Sequence, residues 1–146
     1  MRGKKLKKKF FILVDIKKLK THEKVEPDHF KKLMEKIKKD GILKRPIVVD
    51  RKTGVALDGH HRLKILNYLG CRRIPIIFVN YYSPRIKVFS WRKGKKINKK
   101  DVIEAGISGR RFLPKTSRHM IKTGNELRHI SFLQKRIDIP LKKLKD

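Results

Sequence analysis

The chain has 146 residues, with 42 Lys+Arg against 13 Asp+Glu and a formal net charge of +29. Its single cysteine excludes an internal disulfide framework and a cysteine-rich zinc module, and no apolar run approaches the about 20 residues that span a bilayer. A hydrophobic content of 38% suffices for one packed core, so a folded domain carries a charge that attracts polyanions.

Residues 1–9 read as a basic tail. The apolar run from Phe10 to Val14 is broken by Asp15, shorter than the roughly 7–15 residues of a signal peptide, so a cytoplasmic protein is expected. Residues 10–16 form a first strand and 20–24 a polar loop. Glu26-Pro27-Asp28 opens a helix, since proline and acidic residues both suit a first helical turn. Phe30, Leu33, Met34 and Ile37 make its apolar stripe, and Gly41 ends it. Residues 46–50 read as a buried strand, 51–54 as its turn and 55–57 as the return strand. A second helix follows at once, with Leu63, Leu66 and Leu69 on one stripe and Gly70 as its stop. Further strands are expected at 74–80 and 86–91. Asn98 caps a helix that stops near Gly106, and residues 133–144 fit either a strand or a short helix.

Chemistry concentrates in Val55-Ala56-Leu57-Asp58-Gly59-His60-His61-Arg62. A strand running through glycine into a helix exposes backbone N–H groups at the helix N-terminus, which is an anion site. Gly59 permits close approach of a ligand, and Arg62 suits bidentate phosphate binding. Adjacent His60 and His61 point about 100° apart on a helix and lack further ligands at zinc spacing, so a phosphate cradle is favoured over metal ligation. Cys71 reads as a small core residue, and His29 and His129 have no evident partner.

The Asp-Gly-His-His-Arg turn resembles the ParB/sulfiredoxin-like fold, and within it the archaeal free L-serine kinases. His22-Glu23 resembles that family's His-Glu with the catalytic carboxylate. Val88-Phe89-Ser90-Trp91 is similar to its serine-site tryptophan segment, and Pro114-Lys115-Thr116-Ser117-Arg118-His119 to its Pro-Lys-Thr-Thr-Arg-His signature. Together these motifs run from Leu13 to His119. Longer members carry a substantial insertion between the last two motifs, where only residues 92–113 lie here.

The resemblance implies a mixed α/β domain and phosphoryl transfer from ATP or ADP, with ATP favoured, to free L-serine. The product, O-phospho-L-serine, would feed cysteine biosynthesis. It implies Glu23 as general base and Asp58 as a second catalytic residue that orients the cradle or binds Mg²⁺. Gly59, His60, His61 and Arg62 would hold the donor phosphates. Trp91, Lys115, Thr116, Ser117, Arg118 and His119 would hold serine and the phosphoryl group. The expected organisation is a tail at 1–9, a nucleotide-binding core at 10–92 and a segment at 93–146 completing the serine site.

The alternative is a ParB-like nucleotide-dependent DNA-binding protein, kept open by the charge, although only about 55 residues follow Trp91 to hold a helix-turn-helix region. Sulfiredoxin-like chemistry is excluded, because a histidine stands where its reactive cysteine would be, at position 60. Salt-sensitive, non-specific nucleic-acid contact is expected from charge alone. The many lysines, together with isoleucine, also match the composition of heat-adapted proteins.

Overall fold

A computed structural model describes residues 10–94 and 96–146. The expected tail at 1–9 lies outside them. Strands β1 (Ile12–Asp15), β2 (Lys20–Thr21), β4 (Ile47–Asp50), β5 (Val55–Asp58) and β6 (Arg73–Val79) form a sheet in the order β1-β6-β4-β5-β2. The sheet is mixed: β4 runs parallel to β6 and antiparallel to β5, and β2 joins β5 in parallel.

Helix α1 (Pro27–Asp40) starts as its sequence dictates. Glu26 accepts from the N–H groups of Asp28 and His29, and Gly41 closes the helix in the left-handed region at φ 68°. With α2 (His60–Tyr68) it covers one face of the sheet, where Ile37, Leu63 and Leu66 meet Ile47, Val49 and Ala56. The opposite face packs Val48, Val55 and Leu57 against Val102 and Ile103 of α3 (Lys99–Ser108). Burial on both faces explains why β4 reads Ile-Val-Val without polar alternation.

The expected stop of α3 at Gly106 is corrected. The helix continues to Ser108 and ends at Gly109, which has φ 78°. Gly106 is instead where the helix touches the sheet, and a Cβ there would come within 2.7 Å of Val55 Cγ2.

Strands β7 (Ile86–Ser90), β8 (Ser117–Thr123) and β9 (Glu126–His129) make a second antiparallel sheet. Its β7–β8 pairing joins segments on either side of residue 92. At the C-terminal end, β10 (Ile139–Pro140) pairs with β3 (Ile42–Leu43), and α4 (Leu141–Lys145) drives Leu141 and Leu144 into the first core. Among the described residues no helix is long and apolar enough to cross a membrane.

Candidate active site

Strand β5 delivers Asp58 to the surface, and Gly59 turns the chain into α2 with φ 101°. A Cβ at Gly59 would lie 2.3 Å from Ile47 Cγ2, so both the dihedral and the space require glycine. The first intrahelical bond runs from Leu63 N to Gly59 O, and among the described residues no side chain caps the helix. The N–H groups of His60, His61 and Arg62 therefore have no partner within the helix, and they sit at the positive end of its dipole. A cavity of about 260 Å³ opens there, lined among others by Glu23, Asp58, Gly59, His60, Trp91 and Lys115.

Glu23 forms the opposite wall. Its Oε1 accepts from Lys115 N at 2.5 Å, and its Oε2 accepts from Ser117 N at 3.2 Å and Ser117 Oγ at 2.7 Å. Lys115 holds φ +57°, a rare conformation that aims its N–H at this carboxylate. Among the described residues no Lys or Arg pairs with Glu23; the nearest titratable group is the His22 ring, with Nε2 at 3.8 Å. Burial pushes the Glu23 carboxyl above its ordinary value, against the lowering effect of the Ser117 and Lys115 donors. Glu23 and His60 also line a second cavity of about 700 Å³, with Lys24, Lys64, Asn67 and Arg111.

Asp58 is held differently. Its Oδ2 accepts from Gln134 Nε2 at 2.7 Å and lies 3.8 Å from Arg62 Nη2. Arg62 is committed to the scaffold. Its Nη1 donates to the carbonyls of Arg45 and Pro46, and its Nη2 donates to Gln134 Oε1. Arg62 was expected as a free phosphate ligand; the fold instead uses most of its donors to fasten α2 to the residues before β4.

The two histidines of the turn diverge. His60 meets the His22 ring edge-to-face at 4.5 Å, and its Nδ1 is buried without a hydrogen-bond partner. His61 Nε2 accepts from Glu26 N and its ring meets His29 at 4.4 Å, so its side chain packs from α2 against the start of α1. Burial lowers the pKa of both, His60 well below the ordinary value. His22, Glu23 and His60 each bring a ligand-type atom within 4.8 Å of the others. Ser117 Oγ occupies the space between Glu23 and His22, and both His22 nitrogens are engaged, so we assign no metal there.

The expected serine-binding segment splits by strand alternation. Ser117 and His119 point inward, where His119 Nε2 meets the Tyr81 hydroxyl at 2.8 Å. Arg118 lies on the other face, its guanidinium 4.9 Å from the Trp91 ring and 5.4 Å from Phe89, with Nε buried and unpartnered. Trp91 is 52% exposed and lines the smaller cavity, so it is not a core residue. Thr116 donates to Leu113 O and faces a different cavity, beside Asp101 and Arg110.

Superposition on solved structures decides the fold. A free serine kinase bound to AMP covers 94% of this chain, and 95% of that chain is covered in return, at a TM-score of 0.80 and 18% identity. This chain has the free serine kinase fold. In sequence it is similar to an ATP-dependent L-serine kinase of Staphylothermus marinus, 36% identical over 84 residues, or 55% of this chain and 33% of that one. It is also 28% identical over 102 residues to an ADP-dependent L-serine kinase of Thermococcus kodakarensis, or 67% of this chain and 42% of that one. The chain thus spans well under half the length of the curated relatives it matches. No protein-family model matches it.

Within this kinase fold, two residues outside the sequence motifs complete the site. Gln134 is 3% exposed and bridges Asp58 and Arg62. Tyr81 anchors His119 and, through its backbone N–H, Asp50. Neither has a local sequence signal, because their partners lie 31 to 76 residues away.

Proposed function

We propose that this chain is an L-serine kinase that transfers the γ-phosphoryl group of ATP to the serine hydroxyl, giving O-phospho-L-serine and ADP. The observation that carries the reading is Glu23: a buried carboxylate held by neutral donors, across a small cavity from the open N-terminus of α2. Phosphoryl transfer needs these two walls, one to take the hydroxyl proton and one to hold the donor phosphates.

In this reading the N–H groups of His60, His61 and Arg62 cradle the phosphates. Among the described residues Asp58 accepts only at Oδ2, which fits a carboxylate whose Oδ1 holds Mg²⁺ beside substrate phosphates. That ion would neutralise phosphate charge. Trp91 and Lys115 receive the amino acid, while Arg118, with its unpartnered Nε against Trp91, supplies positive charge to the phosphoryl group. Ser117 and His119 support the site from behind, and Thr116 fixes the loop that carries Lys115. Glu23 takes the hydroxyl proton, the serine oxygen bonds to phosphorus, and the bond to the departing ADP oxygen breaks. The higher identity to an ATP-dependent relative favours ATP. The phosphorylated serine is an activated substrate for replacement by a sulfur nucleophile, as cysteine formation requires.

The test is phosphorus NMR of the protein with Mg²⁺ and L-serine, with ATP and ADP in separate tubes. A phosphoserine signal establishes the reaction, and the productive tube names the donor. Folded protein with no signal in either tube overturns the reading in favour of nucleotide-dependent DNA binding.

A further inference from the structure

Behind Glu23 lies a line of hydrogen bonds whose protons can be counted. Ser117 Oγ is 2.7 Å from Glu23 Oε2 and 2.8 Å from His22 Nε2, and His22 Nδ1 is 2.9 Å from the Ala56 carbonyl oxygen. A carbonyl only accepts, so Nδ1 carries a hydrogen. Neutral His22 then presents a bare Nε2. The Ser117 hydroxyl has one hydrogen and two acceptors facing it. Both short contacts are hydrogen bonds only when one more proton sits in the line, on Glu23 Oε2 or on His22 Nε2. With that proton on Glu23, as it is once Glu23 has taken the substrate's, the line reads Glu23 to Ser117 to His22 to Ala56, each group donating once.

We propose that Ser117 is a relay through which Glu23 passes the substrate's proton to His22. The inference rests on the kinase reading above. As the serine oxygen bonds to phosphorus, its proton moves to Glu23. Glu23 then gives a proton to Ser117 Oγ while the Ser117 hydrogen moves to His22 Nε2. Glu23 returns to carboxylate, Ser117 to hydroxyl, and His22 becomes imidazolium with both nitrogens donating. One proton enters the line and one is held at its far end, away from the new phosphate ester. When product leaves, the line runs in reverse and Glu23 gives the proton to solvent through the cavity it lines.

The surroundings suit a brief stay. His22 is 0% exposed. It faces the His60 ring from α2 at 4.5 Å, the His119 ring from β8 at 5.6 Å and Phe112 at 6.2 Å. Glu23, at 3.8 Å, is the one carboxylate close to it among the described residues. Burial holds His22 down to about 4, so the imidazolium persists only while Glu23 is ionised beside it. Ser117 and His22 are thus positioning residues acting through Glu23, and they explain why the paired strand alternation turns Ser117 inward.

Two readouts test the relay. The first is a proton inventory, kcat in H₂O–D₂O mixtures. Two protons moving together curve the plot; one leaves it straight. Wild type and Ser117→Thr should curve, while Ser117→Ala should be straight, with kcat down about 10- to 100-fold and the serine KM changed less than about threefold. A straight wild-type plot, or an unchanged curve in Ser117→Ala, overturns the relay. The second needs no turnover: paired titration of the Glu23 carboxyl carbon and the His22 nitrogens by NMR in the wild-type protein. One shared midpoint supports the line, and two independent midpoints overturn it. If no phosphoserine forms at all, the kinase reading fails, and the NMR arm still decides whether the proton line exists.

Discussion

Two carboxylates face the same small cavity and are held in opposite ways. Glu23 is fixed by two backbone N–H groups and a hydroxyl, with no Lys or Arg partner among the described residues. Asp58 is tied through Gln134 and beside the Arg62 guanidinium. Neutral donors in a buried setting leave a carboxylate able to change its protonation, and burial raises its affinity for a proton. Asp58 instead lies 3.8 Å from the Arg62 guanidinium. One wall of the cavity therefore carries a buried carboxylate among neutral donors, and the other a carboxylate beside a guanidinium. In the proposed kinase reading, the first would take the hydroxyl proton and the second would sit beside the donor phosphates.

The largest test removes the exchanging wall. Glu23→Gln keeps the shape and removes the base, so turnover should fall by about 10²- to 10⁴-fold with an unchanged circular dichroism spectrum. Near-normal turnover would leave Glu23 without the role assigned here.

The second test reads the histidines that pack behind Glu23. Burial holds His22 down to about 4, and holds His60 and His119 well below the ordinary value. A folded pKa below the unfolded one contributes stability that is complete above about 6.5 and lost as pH falls through the folded value. Glu23 has the opposite sign: its contribution is complete below its unfolded value near 4.5 and fades as pH rises through its raised folded value. Three histidines outweigh one glutamate. Urea unfolding should therefore show a loss of stability between pH 6.5 and 4.5, with His22 alone accounting for about 2 kcal/mol. A flat profile over that window would mean that these rings are solvated.

The smallest test loosens the charged wall. Gln134→Ala leaves Asp58 Oδ2 and one Arg62 donor without their partner. We expect a loss of about 2 kcal/mol by thermal or urea unfolding. Nucleotide affinity should weaken more than serine affinity, because Gln134 braces the turn into α2. Equal weakening of both would show that the two walls are not separate.

Local chemistry made much of the fold legible. The Glu26-Pro27 start and Gly41 stop of α1 are set by neighbours in sequence. So is the Asp58-Gly59 turn into α2, where only glycine tolerates both the dihedral and Ile47. The strand β2 was hidden in a polar loop, because two residues pair only with β5, 35 positions away. Gly106 was misleading for the same reason: its use is decided by contact with Val55, not by its own helix.

The site divides along the same line. The residue types around the cavity are legible in the His22-Glu23, Asp58–Arg62 and Lys115–His119 segments, since the proposed cradle, base and cationic clamp would each need particular side chains. Which of them face it was decided by the tertiary structure. Alternation along β8 sends Ser117 and His119 inward and Arg118 outward, and Gln134, 72 residues beyond Arg62, draws that arginine into the scaffold. Sequence alone determines what a backbone turn or cap can do, because those energies are local. The partner of a buried charge is chosen by whichever group the folded chain brings within about 3 Å of it.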